Sequence, residues 1–153
     1  MNILKQRLYS IVLRHLSGIQ KGIQHGHSKD IFEERFSFKP EYKKWLTEDK
    51  TVIVLETNSV QQLLNAASEL TNAGIEVGTF LEEDLSFIPT SISFLVDEKV
   101  WDFETYPNIS FITSSLDNRT LRDAMQLEAN TNVYGKEISF LKQFIRKFNL
   151  ASN

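Results

Sequence analysis

Residues 8–28, LYSIVLRHLSGIQKGIQHGHS, decide the fold, because within them an apolar run gives way to a helical pattern. Leu8 to Leu16 is apolar and partly β-branched, which is typical of a buried strand. Ser17 and Gly18 follow as a turn, and a serine at this point is a preferred helix N-cap. The sequence therefore predicts a first strand joined directly to a helix that runs from about Ile19 to Phe36.

Strands and helices alternate along the rest of the chain. Further strands are predicted at Thr51–Leu55, Ile75–Leu81 and Thr90–Val96, with a weaker one at Ile109–Thr113. Helices are predicted at Glu41–Leu46, Val60–Leu70, Leu116–Leu127 and Lys136–Phe148, with Gly74 as a left-handed C-cap. The order β-α-β-α-β-β-α is typical of one mixed sheet covered by helices. We therefore expect a single α/β domain, residues 1–153, built on a four-stranded mixed sheet flanked by helices.

Composition places the chain among compact globular proteins, since 41% of its 153 residues are hydrophobic and 24% are charged. No apolar run is long enough to span a bilayer, and the charged N-terminus lacks the apolar stretch of a signal peptide. The N-terminus is acid-free and contains arginine, so a mitochondrial transit peptide is the alternative, which the strand pattern disfavours. The absence of cysteine excludes disulfides and thiolate metal sites. We expect a cytoplasmic protein with no membrane partner.

The charge of the chain is unevenly distributed, although its net value is only -3. All three histidines and five basic residues precede the first acidic residue; the basic residues are Lys5, Arg7, Arg14, Lys21 and Lys29. Such a basic pole would attract an anion. A scatter of these charges over the folded surface would explain the pattern equally well.

Polar residues of the first helix form a candidate site. On a helix, Gln20, Gln24 and His27 fall on one side, beside a stripe that we expect to face the sheet. The stripe consists of Ile19, Ile23 and Gly26. Equally, polar side chains flank the apolar stripe of any surface helix, and a histidine in such a place is commonly a half-buried structural residue.

Two further features belong to the same helix. Gly22 and Gly26 are unfavourable inside a helix, and a close helix–sheet approach is one reason to tolerate them. The start of the helix at Ser17 offers free N–H groups to an anion, with Lys21 one turn further in.

Two short patterns raise the question of a metal site. His25 and His27 are two residues apart and point apart on a helix, whereas zinc-binding pairs are spaced by four. The run Glu82-Glu83-Asp84 could hold Mg²⁺, but acidic residues at a strand end are usually solvated. We expect neither a metal nor another cofactor.

The segment LSGIQKGIQHGHS, residues 16–28, resembles the first helix of the type II peptidyl-tRNA hydrolase family, whose pattern is roughly G-K-x-A-A-Q-x-x-H-A after a strand. Gln24 matches the glutamine of the pattern and His27 its histidine. FLEEDLSFIPTSISFL, residues 80–95, resembles the third and fourth strands of the family, and FLKQFIRKFNL, residues 140–150, its C-terminal helix. The likeness is closest to shortened, phage-type relatives and covers most of the chain.

The sequence departs from the family at decisive positions. The catalytic lysine, four residues before the glutamine, is replaced by Gln20, with Lys21 beside it. The aspartate of the family corresponds to Glu82 or Asp84, and its threonine to Thr90.

The resemblance implies hydrolysis of the ester between a peptide and tRNA. It assigns catalysis to Gln20, Lys21, Gln24, His27, Asp84 and Thr90, and substrate contacts to Arg14, Ser17, Gly18 and Glu82. A carboxylate would polarise water, a cation would meet the oxyanion, and the basic pole would receive the tRNA or peptidyl-tRNA. Because the lysine is missing, the alternative is a catalytically impaired binding module of the same fold that binds RNA, a nucleotide or a protein.

Residues 100–132 have no counterpart in the family and look like an insertion within the domain. Trp101, Phe103, Tyr106 and Phe111 crowd into this segment. We predict that they cover a face or edge of the sheet, or form a partner surface. A second copy of the chain, giving a homodimer, is one candidate partner.

Overall fold

The computed structural model describes residues 2–109 and 118–152. The chain divides into two compact units. One unit comprises Met1–Asp97 together with Phe148–Asn153, and the other is Glu98–Lys147. The segment predicted as an insertion, 100–132, falls within the second unit.

The first unit is an α/β structure built on one sheet. Its strands are β1 (Gln6–Leu13), β2 (Val52–Thr57), β3 (Gly78–Glu82), β4 (Ile88–Asp97) and β5 (Asn149–Leu150). Its helices are α1 (Gly18–Phe36), α2 (Pro40–Lys44) and α3 (Val60–Asn72). A π-helical turn, Trp45–Asp49, follows α2, and a 3-10 turn, Glu83–Leu85, lies between β3 and β4.

The sheet has the order β3-β4-β1-β2-β5. β1 and β2 are parallel, whereas β4 runs antiparallel to β1 and to β3, and β5 antiparallel to β2. The predicted α/β class and mixed sheet with flanking helices are confirmed, but the four-strand count is wrong. The additional strand, β5, pairs only Leu150 with Leu55 and Asn149 with Glu56. Two residues are too few to show a strand periodicity in the sequence.

Local sequence explains where the elements begin and end. Ser17 caps α1 through its side chain, and Gln20 completes a capping box. Ser59 caps α3 through its side chain, which accepts from the Gln62 N–H. Gly74 has φ 86, so the left-handed glycine predicted after α3 is confirmed.

The orientation of α1 differs from the predicted one. Ile19 is 80% exposed and Ile23 51% exposed, so the stripe expected to face the sheet faces outwards. The buried side chains of α1 are instead Lys21, Ser28 and Phe32. The sheet surface beneath α1 presents hydroxyl and carboxylate groups, and these pair with the polar side of the helix.

The predicted close approach of helix and sheet occurs, but not at the helix glycines. An added Cβ at Gly22 or Gly26 would meet nothing within 4 Å. At Gly78, on β3, an added Cβ would lie 2.6 Å from the backbone nitrogen of Phe32. The glycine that lets α1 approach the sheet is therefore on the strand. At the far end of α1, Phe32 packs in a core cluster with Leu8, Tyr42 and Trp45.

The second unit is helical in its described part. It contains α4 (Glu98–Trp101), α5 (Arg119–Tyr134), α6 (Lys136–Phe144) and a 3-10 turn, Ile145–Lys147. α5 overlaps the predicted helix from Leu116 to Leu127, and α6 with its 3-10 turn lies within the predicted Lys136–Phe148. Leu116, Phe111 and most of the predicted strand at Ile109–Thr113 lie outside the described residues.

Lys142 is a buried lysine surrounded by aromatic rings in the second unit. Its Nζ donates to the backbone carbonyl of Tyr106 and lies 4.6 Å from the ring centre of Phe103 and 4.8 Å from that of Tyr134. Burial lowers the pKa of Lys142, and the nearby charge of Asp102 offsets part of that effect. Two of the aromatic residues predicted for a partner surface, Phe103 and Tyr106, therefore hold this lysine. The partner surface itself stays a prediction.

No helix within residues 2–109 and 118–152 is long and apolar enough to cross a membrane.

Candidate functional site

Helix α1 lies along β3 so that successive turns of the helix meet successive residues on one face of the strand. Gly78, Phe80 and Glu82 share that face, as their contacts with α1 show, and the pairing of β3 with β4 shifts register between Phe80 and Leu81. Phe32 lies over Gly78, and the ring of His27 stacks on Phe80 at 4.5 Å with an interplanar angle of 23°. Next along the helix, Gln24 meets Glu82, so the predicted site lies at the N-terminal half of α1.

Gln24, Glu82 and Thr90 form a hydrogen-bonded group, which we call the triad. The Gln24 side chain donates through Nε2 to Oε2 of Glu82 at 3.0 Å, and its Oε1 accepts from the Thr90 hydroxyl at 2.5 Å. The Ser91 hydroxyl donates to the backbone carbonyl of Gln24 at 2.6 Å. Thr90 is buried and Glu82 is half-buried. Three residues predicted from distant parts of the sequence are thus brought together.

The other predicted carboxylate belongs to the turn that follows Glu82. Asp84 is exposed in the 3-10 turn between β3 and β4. The sequence left Glu82 and Asp84 as alternatives for one role, and it is Glu82 that bonds to Gln24. His27 is exposed and contacts Phe80 through its ring.

Gln20 and Ser17 hold the start of α1. The Ser17 N–H donates to Oε1 of Gln20 at 3.1 Å, and the Gln20 N–H donates to the Ser17 hydroxyl at 3.1 Å. Gly18 is the first helical residue. The side chain at the position of the family lysine therefore stabilises the helix terminus.

Lys21 lies on the other side of α1, facing β2. It is only 5% exposed, and its Nζ donates to Oε2 of Glu56 at 3.0 Å and to the backbone carbonyl of Ser152 at 2.5 Å. The exposed Arg14 approaches the same carboxylate, with its Nε 3.9 Å from Oε1. The structure therefore separates Lys21 and Arg14 from the triad and joins them to Glu56.

Glu56 is a charged residue that no sequence pattern assigned to the candidate site. Burial raises its pKa, but the hydrogen bond from Lys21, the N–H of Ser152 and the charges of Lys21 and Arg14 outweigh burial and hold the pKa below its ordinary value. The carboxylate is therefore ionised at neutral pH and neutralises Lys21. The signal was present in the sequence, since Glu56 directly follows the strand pattern TVIVL.

Carboxylates neutralise part of the basic pole in the fold. Lys21 pairs with Glu56, and Lys29 lies 3.5 Å from a carboxylate oxygen of Asp30 and 3.6 Å from one of Glu33. The acid-free segment thus obtains its counter-charges from the next turn of α1 and from β2. These ion pairs reduce the positive charge that the basic pole could offer to tRNA.

A closed ring of hydrogen bonds ties α1 to β1 and β4. The Ser10 hydroxyl lies 2.6 Å from Nδ1 of His25 and 2.7 Å from the Ser93 hydroxyl, which is 2.7 Å from the Ser28 hydroxyl. Ser28 also donates to the backbone carbonyl of His25 at 3.1 Å.

The donors and acceptors in this ring of hydrogen bonds can be assigned in only one way. A hydroxyl has a single proton, and Ser28 directs its own to the His25 carbonyl. Ser93 must then donate to Ser28 and Ser10 to Ser93, so the Nδ1–H of His25 donates to Ser10. The neutral imidazole is therefore the Nδ1–H tautomer, with a free lone pair on Nε2.

His25 should make stability depend on pH. Burial and, next, the Lys29 charge lower its pKa, while Asp30 offsets part of the shift. Below about pH 6.5 the unfolded chain then binds more protons at this position than the folded one, so stability should fall as the pH drops from 7.5 to 5.5. Urea denaturation across this range measures the effect. His25→Asn, whose amide can still donate to Ser10, should reduce the dependence, whereas the exposed His15→Asn should keep it; equal profiles for all three proteins would contradict the prediction.

Within the part of the chain that the structure describes, no group of three or more His, Cys, Asp or Glu side chains could hold a metal ion. The triad instead offers a carboxylate, an amide and a hydroxyl, which suit hydrogen bonding to a polar or cationic group.

No family model matches the sequence. No curated protein matches it either. Among solved structures, a protein of unknown function from Agrobacterium tumefaciens strain C58 is similar to this chain with a TM-score of 0.46 and 12% sequence identity, covering 65% of this chain and 93% of that one. A similarity at this level carries no argument about family or function, so the resemblance to type II peptidyl-tRNA hydrolases stays a prediction.

Proposed function

We propose that the protein is a binding module, a peptidyl-tRNA hydrolase-like domain whose catalytic function is impaired. The observation that supports this proposal is the pairing of Lys21, the cation that the resemblance assigns to catalysis, with Glu56 instead of with the triad. Gln20, at the position of the family lysine, caps α1. Over residues 2–109 and 118–152, no ion pair is made by Glu82.

The missing cation matters because ester hydrolysis builds negative charge on the carbonyl oxygen. Loss of one donor to that oxygen typically costs about 10²–10³ in kcat. The triad contains a carboxylate that could polarise water, but its hydroxyl proton is directed at Gln24, and one of the two amide protons of Gln24 is directed at Glu82. What the triad retains is the ability to bind.

Hydrolysis is the second candidate function, and the triad is the observation that favours it. Gln24, Glu82 and Thr90 occupy positions that the resemblance assigns to the site, and they contact one another. In this function Glu82 would polarise the attacking water, and Gln24 and Thr90 would position the ester.

Release of the N-acetylated amino acid from N-acetyl-aminoacyl-tRNA separates the two functions. We expect the wild-type protein to stay at the buffer rate. Gln20→Lys adds an ammonium one helical turn before Gln24, and it should raise the rate at least tenfold, which corresponds to about 1.4 kcal/mol of barrier. Gln61→Lys, which adds the same charge on α3, is the matched control and should leave the rate unchanged.

Two outcomes would decide against these expectations. Turnover by the wild-type protein that disappears in Glu82→Gln would establish the hydrolase and overturn the binding module. A Gln20→Lys protein that remains at the buffer rate would show that the triad is not a catalytic site lacking only its cation.

A further inference from the structure

We propose that the connection between β3 and β4 is a docking surface for a basic, apolar peptide segment of a partner protein. We call residues 81–88, LEEDLSFI, the hairpin tip. The inference deepens the proposed binding function and rests on it, since it names the class of ligand that would be bound beside the triad.

The hairpin tip exposes an unusual amount of apolar surface for so short a segment. Four of its eight residues are large, apolar and exposed: Leu81, Leu85, Phe87 and Ile88. Phe87 is the most exposed of them, at 61%. Contiguous exposed apolar side chains on a folded domain commonly mark a contact surface.

The backbone of the hairpin tip holds Phe87 outwards. Ser86 and Phe87 have φ of 58 and 62, a left-handed conformation that is rare for a bulky residue. Hydrogen bonds fix this geometry, because the Phe87 N–H donates to the Glu82 carbonyl at 2.8 Å and the Ser86 N–H to the Glu83 carbonyl at 3.2 Å. The aromatic side chain is thus presented by a constrained turn.

The charge of the hairpin tip selects the kind of partner. Glu83 and Asp84 are exposed, and neither forms an ion pair in the described residues. Together with Glu82 they make the surface around the apolar side chains acidic. A peptide with lysine or arginine among large apolar residues is complementary to this surface, whereas nucleic acid phosphates would be repelled.

Helix α1 borders the hairpin tip at Gln24. The bond between Gln24 and Glu82 places the first turns of α1 beside the hairpin tip. Those turns carry Ile19 and Ile23, both exposed. Ile19 and Ile23 point away from the sheet, on another side of α1 from Gln24, so the docking surface is formed by the hairpin tip itself.

A titration of ¹⁵N-labelled protein with a short synthetic peptide of leucine and lysine tests the proposal. We expect the largest chemical-shift changes at residues 81–88 and at Gln24, which bonds to Glu82. Phe87→Asn removes the ring and tolerates the left-handed backbone, and it should weaken binding roughly tenfold. Phe38→Ser is the matched control, because Phe38 is similarly exposed, at 68%, but follows the opposite end of α1.

Charge is tested separately. The double substitution Glu83→Gln with Asp84→Asn should weaken binding of the lysine peptide and reduce its dependence on salt. A matched peptide of leucine and glutamate should not bind.

Several results would overturn the docking surface. One is unchanged peptide binding by Phe87→Asn, and another is equal binding of the lysine and glutamate peptides. The others are chemical-shift changes located away from Gln24 and residues 81–88, and concentration-dependent dimerisation through residues 81–88 in light scattering. If the lysine peptide fails to bind while the ester assay stays at the buffer rate, the docking surface fails and the binding module does not. Wild-type ester turnover that is lost in Glu82→Gln, with the peptide still bound at the hairpin tip, would overturn the proposed function alone.

Discussion

Replacement of Lys21 by methionine is expected to lower the free energy of unfolding by about 3 kcal/mol. Methionine has a similar volume and fits an apolar environment, so lost packing contributes little. The loss comes from Glu56, whose side chain is 9% exposed and whose carboxylate would remain charged without its ammonium partner. Arg14 stays nearby but is largely exposed, so it compensates only in part. Urea denaturation at pH 7 measures the change.

A second substitution and a change of pH test the cause. Glu56→Leu in the Lys21→Met background removes the uncompensated charge and should restore most of the stability, since an apolar pair can replace a buried ion pair. In the wild-type protein the lowered pKa of Glu56 contributes stability above about pH 4.3 that is lost as the pH falls through its folded pKa. The deficit of Lys21→Met should therefore shrink in acid. A loss below about 1 kcal/mol at pH 7 would show that Lys21 is not a structural ion-pair partner.

The contrast between Lys21 and Gln24 shows what the sequence could predict about the site. Both residues lie on α1, and the resemblance placed both in one catalytic group. Helical geometry sets their directions apart, so Gln24 meets β3 and β4 while Lys21 meets β2. Gln24 and Thr90 could be predicted because each lies in a recognisable local pattern. The pairing of Lys21 with Glu56 depends on the order of strands in the sheet, which local patterns do not contain.

The difference between the predicted and the observed orientation of α1 has a related cause. Its apolar residues Ile19 and Ile23 predicted one buried face, but the sheet surface beneath carries Ser10 and Ser93. Hydroxyl groups in a buried position need hydrogen-bonding partners, and the polar side of α1 supplies them. A serine inside an otherwise apolar strand, as in LYSIVL, was the signal for this polar interface.

Strand β5 could be predicted least well. β5 follows the last helix and is defined by its pairing with β2. The apolar periodicity ends the last helix at about Phe148, and the resemblance extends it over FLKQFIRKFNL, residues 140–150, which include both residues of β5. Pairing between residues so distant in sequence leaves no local pattern, so only the assembled sheet identifies it.

Replacement of Gly78 by alanine is expected to lower the free energy of unfolding by about 3 kcal/mol. The added Cβ would lie 2.6 Å from the backbone nitrogen of Phe32 and 2.8 Å from its Cα. These are backbone atoms of α1 and cannot rotate away as a flexible side chain could, so the helix itself must move. A displaced helix would also separate Gln24 from Glu82, so the variant should lose this hydrogen bond along with its stability.

Gly26→Ala is the matched control for Gly78→Ala, because an added Cβ there meets nothing within 4 Å. Alanine is favoured over glycine inside a helix, so this variant should be more stable by about 0.5–1 kcal/mol. Urea denaturation of both variants gives the two values, and the backbone spectrum reports whether residues near Glu82 are shifted. Unchanged stability of Gly78→Ala would contradict the close contact between α1 and β3. It would then also contradict the alignment of Gln24 with Glu82 that depends on this contact.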